Sequence, residues 1–331
     1  MSELRINNIT DRAGSSGPII AGVSTVTSTS HMVMPSGPTE MRGGRGRAIV
    51  FVGATPSATT LIDAFNTTTA GDAFDFGDAS AARYNNGFGG CASATRGVIA
   101  DGTATEYVIF SSSGGANDFG DHRVVSGSGA AIGHAADGVR GLLAGGYNAP
   151  LNLNTIDFIT IATTGNSSSF GEFDDGSTGG YSPMASHTRA VFARGGQNLN
   201  FINFTSGGKT QIFGDMRGDS RTSHIASCSS STRGIMAGGE APSRVNTITF
   251  ITLATLGNGT DFGDLLAGRN DHDAVSSSTR GFIVAGANPS KTNSIEFVTI
   301  ASTGNGQEFG DLTQARSQPS SCSDVHGGLG D

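Results

Sequence analysis

Tryptophan is absent from these 331 residues, cysteine occurs three times, proline nine times, and only 15% of the residues are charged. No apolar run approaches the ~20 residues that span a membrane, and nowhere do apolar residues recur at the 3.6-residue spacing of an amphipathic helix. The opening MSELRINN puts Glu3 and Arg5 where a secretion signal needs an apolar stretch, so a soluble protein without a signal peptide or membrane insertion is expected. A formal net charge of −8 argues against a nucleic-acid partner, because such partners are held by a basic face that displaces counterions. Cys91, Cys228 and Cys322 lack metal-site spacing. Cys91 and Cys228 each stand five residues before an arginine, which reads as small buried residues in equivalent strands rather than a disulfide.

What the chain has is repetition. Phe-Gly-acid occurs at Phe76, Phe119, Phe170, Phe213, Phe262 and Phe309, with gaps of 43, 51, 43, 49 and 47 residues. In a second phase, Arg47, Arg96, Arg140, Arg189, Arg233 and Arg280 each open a short apolar run. Two unrelated residue types keeping one period of about 47 residues mark a repeat architecture, a solenoid or a propeller. In the fifth repeat, RGIMAGG is a strand ended by glycines and NTITFITLAT a strand apolar on both faces; TDFGDL is a short strand, and AGRNDHDAVSSST leads through another to the next arginine. Four short strands per period and no helix predict an all-β protein, a six-bladed β-propeller of four-stranded antiparallel blades over residues 47–331. The tail SQPSSCSDVHGGLGD places Cys322 much as Cys228 stands before Arg233, so the C-terminal strand is expected to complete the blade that Arg47 begins. Residues 1–46 lie outside the repeat, too short to bury a core alone, and read as an extended attachment segment.

The charges that persist are the six arginines and the six acids Asp78, Asp121, Glu172, Asp215, Asp264 and Asp311. They are read as structural: each arginine is expected to pair with an acid or with loop carbonyls of the neighbouring repeat, a commoner device than a symmetric ring of ligand-binding charges. GNGTDFGD and GGANDFGD are rich in Gly and Asp but lack the ligand spacing of an EF-hand loop, and turn chemistry explains them. The histidines His31, His122, His134, His187, His224, His272 and His326 have no paired ligand at metal spacing. No serine elbow is present, and paired carboxylates are invisible to sequence alone. No catalytic residue, metal or cofactor is therefore assigned. Recognition is expected in the loops after the glycine-ended strands, around Thr55 to Thr60, Tyr147 to Asn152, Glu240 to Arg244 and Ala287 to Lys291; the candidate residues are Tyr147, Asn148, Asn152, Glu240, Arg244 and Lys291.

The layout of arginine, glycine-ended strand, central aromatic (Tyr107, Phe158, Phe201, Phe250, Phe297), second aromatic twelve residues on, then Leu and a further Arg resembles kelch-type propeller repeats over residues 47–331. The usual kelch tryptophan is phenylalanine throughout, and the first repeat has Ala64 at the central aromatic position, with Phe65 beside it. The N-terminus and the motif NTIxFITIATTGN…DFGDL with SSSTRG resemble tail-fibre and other virion appendage proteins of marine cyanobacterial phages. That resemblance implies a non-enzymatic virion protein, made in the host cytoplasm and carried on the particle. It would be anchored to other virion proteins through its N-terminus, display its propeller toward host-surface glycan or protein or toward a virion neighbour, and form a homo-oligomer, with a trimer favoured. A phage-borne polysaccharide-degrading enzyme and a bacterial surface adhesin are the alternatives.

Overall fold

A computed structural model describes residues 46–84, 89–101, 104–123, 132–148, 151–174, 181–193, 198–216, 221 and 224–325. The attachment segment expected over residues 1–46 lies outside them apart from Gly46. All regular structure among the described residues is strand.

The first repeat supplies β1 (Arg47–Phe51), β2 (Thr59–Asn66) and β3 (Phe74–Arg83). The second holds β4 (Cys91–Ala92), β5 (Arg96–Asp101), β6 (Ala104–Ile109) and β7 (Asn117–Asp121). The third has β8 (Gly133–Ala136), β9 (Arg140–Ala144), a ribbon of β10 (Tyr147–Asn148) and β11 (Leu151–Asn152), then β12 (Thr155–Thr160) and β13 (Ser168–Glu172). The fourth comprises β14 (Ser182–Ala185), β15 (Arg189–Ala193), β16 (Asn198–Asn203) and β17 (Ser206–Asp215). The fifth comprises β18 (Ala226–Ser229), β19 (Arg233–Ala237), β20 (Thr247–Thr252) and β21 (Thr260–Asp264). The sixth has β22 (Asp273–Ser276), β23 (Arg280–Val284), β24 (Ala287–Asn288), β25 (Ser290–Thr299) and β26 (Gln307–Arg316), and β27 (Ser320–Ser323) follows.

These strands form small antiparallel sheets in a propeller-like arrangement. Four sheets are blade-sized, not the six expected: β27-β1-β2-β3, β4 to β7, β18 to β21, and a five-stranded sheet of β22, β23, β25, β24 and β26. The third and fourth repeats share one eight-stranded sheet, β14-β15-β16-β17-β13-β12-β9-β8. The reason is local. Where the third, fifth and sixth repeats make a Gly-Asn turn, the fourth turns tightly, with Asn203 opposite Ser206, so β17 starts early and its first residues run parallel to β13, Gly171 beside Gly208 and Glu172 beside Lys209. A Cβ on Gly171 would stand 2.0 Å from the Gly208 carbonyl oxygen, so only glycine permits the approach. Lys209 adds an ion pair to Glu172 at 3.3 Å.

The Phe-Gly-acid signature has a physical explanation. In every repeat the register between the third and outermost strands slips at this point: Ile62 faces Gly77 and Asp63 faces Asp75, so Phe76 is the extra residue of a β-bulge. The same slip passes over Phe119, Phe170, Phe213, Phe262 and Phe309. The bulge turns the ring inward, and Phe76, Phe119, Phe213, Phe262 and Phe309 are buried. The glycine that follows admits the next repeat's turn: Gly114 N donates to the Phe76 carbonyl, Gly165 N to Phe119, Gly257 N to Phe213, Gly304 N to Phe262 and, closing the circuit, Gly71 N to Phe309.

The core is divided among the junctions. Apolar clusters lie between successive repeats, for instance Phe76, Ile99 and Phe110 between the first and second, and one cluster of Val50, Phe65, Phe282 and Phe309 joins the sixth to the first. The innermost strands β4, β8, β14, β18, β22 and β27 touch in sequence around the axis. Their sulfur atoms fit the glycine that follows a marker arginine: a Cβ on Gly97 would stand 2.6 Å from Cys322 Sγ, and one on Gly141 2.6 Å from Cys91 Sγ. All three cysteines are free and buried. Burial pushes the Cys228 thiol up to about 12 and raises those of Cys91 and Cys322 as well.

Strand β27 pairs antiparallel with β1, Cys322 opposite Ile49. The seam even repairs its own turn: elsewhere Ser230 or Ser277 Oγ accepts from the backbone N–H of the next arginine, and at the seam Asp324 Oδ1 accepts from Arg47 N at 3.0 Å.

Candidate functional site

Because strand direction alternates, the connections after the first and third strands of a repeat lie on one face of the assembly, and those after the second and fourth on the other. The six marker arginines belong to the first face. Each reaches the turn of the next repeat: Arg47 donates to the Phe110 carbonyl, Arg96 to Ala162 at 2.9 Å, Arg140 to Phe204, Arg189 to Leu253 at 3.1 Å, Arg233 to Ile300 and Ala301 at 3.0 and 2.9 Å, and Arg280 back to Thr68 at 3.3 Å. The guanidinium also lies over an aromatic ring of its own repeat, 4.4 Å from the Phe201 centroid for Arg189 and 4.6 Å from Phe250 for Arg233.

These arginines and the signature acids are not brought together. The acids act through their backbones: the carbonyls of Asp78, Asp121, Asp215, Asp264 and Asp311 accept from Ala116, Ser167, Gly259, Gly306 and Ala73 of the following repeat. Asp78 also accepts from Thr60 Oγ1 at 2.6 Å, and Glu172 meets Lys209.

The ion pairs between repeats use other residues. Asp63, Glu106, Asp157 and Glu296 stand immediately after the register slip, buried, and each is met by an arginine of the preceding repeat's outer connection. Arg316 reaches Asp63 at 3.0 Å, Arg83 reaches Glu106 at 2.7 Å, Arg123 reaches Asp157 at 2.7 Å, and Arg269 bonds Glu296. In the fifth repeat Thr249 takes this place, and Arg221 donates to its hydroxyl at 2.6 Å. The signal was available: Asp63, Glu106, Asp157, Asn200, Thr249 and Glu296 each precede a signature phenylalanine by 13 residues. It was hidden because the side chain varies, and because the arginines follow that phenylalanine at offsets of 7, 4, 8, 7 and 7. Burial alone would raise the Asp157 carboxyl, but His122 and Arg123 outweigh it and hold it below the usual range.

The candidate recognition residues lie on the opposite face. Glu240 and Arg244 are joined through Asn270, which donates to Glu240 Oε1 at 2.6 Å and accepts from Arg244 Nε at 2.8 Å. Lys291 stands apart from them and donates to the Pro56 carbonyl at 3.1 Å across the sixth and first repeats. Tyr147 and Asn148 pair in backbone register with Asn152 and Leu151 in the β10–β11 ribbon of the third repeat. Nearer the axis, His224, Asp271 and Gln318 hold one place in successive repeats with φ of 57°, 52° and 56°. His224 Nδ1 lies 2.7 Å from Asp271 Oδ1, a contact that raises the imidazole pKa above its ordinary value. Beside them His272 is buried and pushed down to about 3, a neutral ring bonded to the Ala237 carbonyl.

The axis is nearly filled. A cavity of about 20 Å³ remains, room for a single water, lined by small residues of the innermost strands such as Ala135, Ser227 and Ser321. Asp273 is buried beside it, accepting from Ser321 Oγ at 2.6 Å and from Gly89 N; desolvation pushes its carboxyl up to about 7. Among the described residues no three of His, Cys, Asp and Glu are placed to hold a metal, and no helix is long and apolar enough to cross a membrane.

No protein-family model and no curated protein matches this sequence.

Proposed function

We propose that the chain is a non-enzymatic structural component of a phage virion, a tail fibre, spike or other appendage. Residues 1–46 anchor it to other virion proteins, and the repeats form one six-bladed kelch-like propeller that contacts host-surface glycan or protein or a virion neighbour. In this reading the eight-stranded sheet is two blades whose outer strands have fused, and the homo-oligomer is a trimer. The observation that carries the proposal is the closed circuit of contacts: turn, arginine and apolar cluster bind each repeat to the next and the sixth to the first. A frame so tied is rigid, while the connections on one face differ in length and content; fixed scaffold with variable loops is the arrangement recognition requires. The phage-appendage resemblance of the repeat motif supplies the setting.

Mass spectrometry and a density map of purified particles test the setting, with this polypeptide expected in an appendage and its absence overturning it. Exchanging the Glu240–Arg244 loop for that of another repeat is expected to reduce attachment to host cells at unchanged melting temperature. Unchanged attachment after all such exchanges on this face would overturn the recognition role.

A further inference from the structure

Between the β21–β22 connection of the fifth repeat and the β23–β25 connection of the sixth lies an open cavity of about 260 Å³. Its floor is a buried ion pair. Arg269 donates to Glu296 Oε1 and, at 3.2 Å, to the Ala285 carbonyl, and the backbone N–H of Leu266 donates to Glu296 Oε2 at 2.9 Å. Glu296 is thereby satisfied at both oxygens, and its charge is balanced. Glu308, on the wall, is not. It is the register partner of Glu296 across β25 and β26, it is exposed, and it has no hydrogen bond or ion pair among the described residues. The one guanidinium that lines the cavity is paired with Glu296, so the charge of Glu308 is left uncompensated beside partly apolar walls.

Two further features specify what would answer that charge. Arg269 lines the cavity, but its guanidinium is committed to Glu296 and the Ala285 carbonyl and answers no second charge. Leu266 is 61% exposed at the rim, a large apolar side chain with nothing over it, and Asn288 and Thr292 add polar groups opposite. A ligand that fits must bring a cation to Glu308, hydroxyl groups to Asn288 and Thr292, and a C–H face to Leu266. A plain alkylammonium ion lacks the oxygens, and a neutral sugar lacks the charge. We propose that this cavity is a binding site for an amino sugar bearing a free ammonium group. Its size, below the ~300–1,000 Å³ of drug-sized pockets, suits one ring rather than an oligosaccharide.

The inference rests on the recognition role proposed above for the source of its ligand, but the two fail separately. Saturation-transfer NMR and calorimetry on the full chain at pH 6 are expected to detect binding of glucosamine, with N-acetylglucosamine and cadaverine at least tenfold weaker. Glu308→Gln is expected to weaken glucosamine at least tenfold at an unchanged melting temperature, because the residue is exposed and makes no bond. Equal binding of N-acetylglucosamine, equal binding of cadaverine, no effect of Glu308→Gln, or no binding of glucosamine would each overturn the site. Failure to bind glucosamine while loop exchange still abolishes attachment overturns the cavity alone. Glucosamine binding by a chain missing from the particles overturns the virion setting alone.

Discussion

The two arginine circuits do the same job, joining a repeat to its neighbour, by opposite means. The marker arginines lie at half-buried turns, donate to carbonyl oxygens and rest on an aromatic ring, so no second side chain need be ionised. Of the arginines that meet carboxylates, Arg316 is wholly buried and Arg269 nearly so, while Arg123 is exposed, and the carboxylates they face are all buried. A carbonyl acceptor is supplied by any residue, so the first circuit is complete in all six repeats. A carboxylate acceptor must be encoded, so the second drifts to Thr249 in the fifth repeat and Asn200 in the fourth. Regularity of a residue therefore reports how tolerant its partner is, not how much energy the contact carries.

The largest effect expected from this contrast is that of Arg316→Ala. It leaves the Asp63 carboxylate buried without its counter-charge, held only by the Thr313 hydrogen bonds, at the junction of the last repeat with the first, and a loss of about 3–5 kcal/mol is expected, read as a lowered melting temperature and urea midpoint. Arg233→Ala removes two hydrogen bonds and a ring contact at a half-buried site and is expected to cost about 1–2 kcal/mol, with attachment to host cells unchanged. If calorimetry ranks the two in the reverse order, the contrast fails.

The smallest expected effect concerns pH. Asp157 has its carboxyl held below the usual range, so the stability it contributes is fully present above the unfolded carboxylate value of about 3.9 and is lost as pH falls through the lower folded value. Asp157→Asn is expected to shrink the fall in melting temperature between pH 5 and pH 2, whereas Arg233→Ala leaves that fall unaltered. An identical acid limb in wild type and Asp157→Asn would remove the distinction between the circuits.

Much of this was legible in advance, and the parts that were not share a cause. The period, the absence of helix and the four-strand repeat were read from Phe, Arg and Gly positions because local strand and turn chemistry is written in adjacent residues. The likeness of Cys322 to Cys228 pointed to the strand that lies against Arg47. Sequence did not tell that the signature phenylalanine is a bulge residue, that the signature acid contributes its backbone carbonyl, or that the third and fourth repeats merge across Gly171 and Gly208. The grouping of Glu308 with Glu296 and Arg269 in one cavity was equally invisible. The chain by itself determined the module and its repetition, since strand length, turn type and inward-facing residues depend on near neighbours. The tertiary structure alone decided which charge meets which, because those partners are brought together between repeats, where small differences in turn length shift the arginines although the acceptor keeps a fixed place.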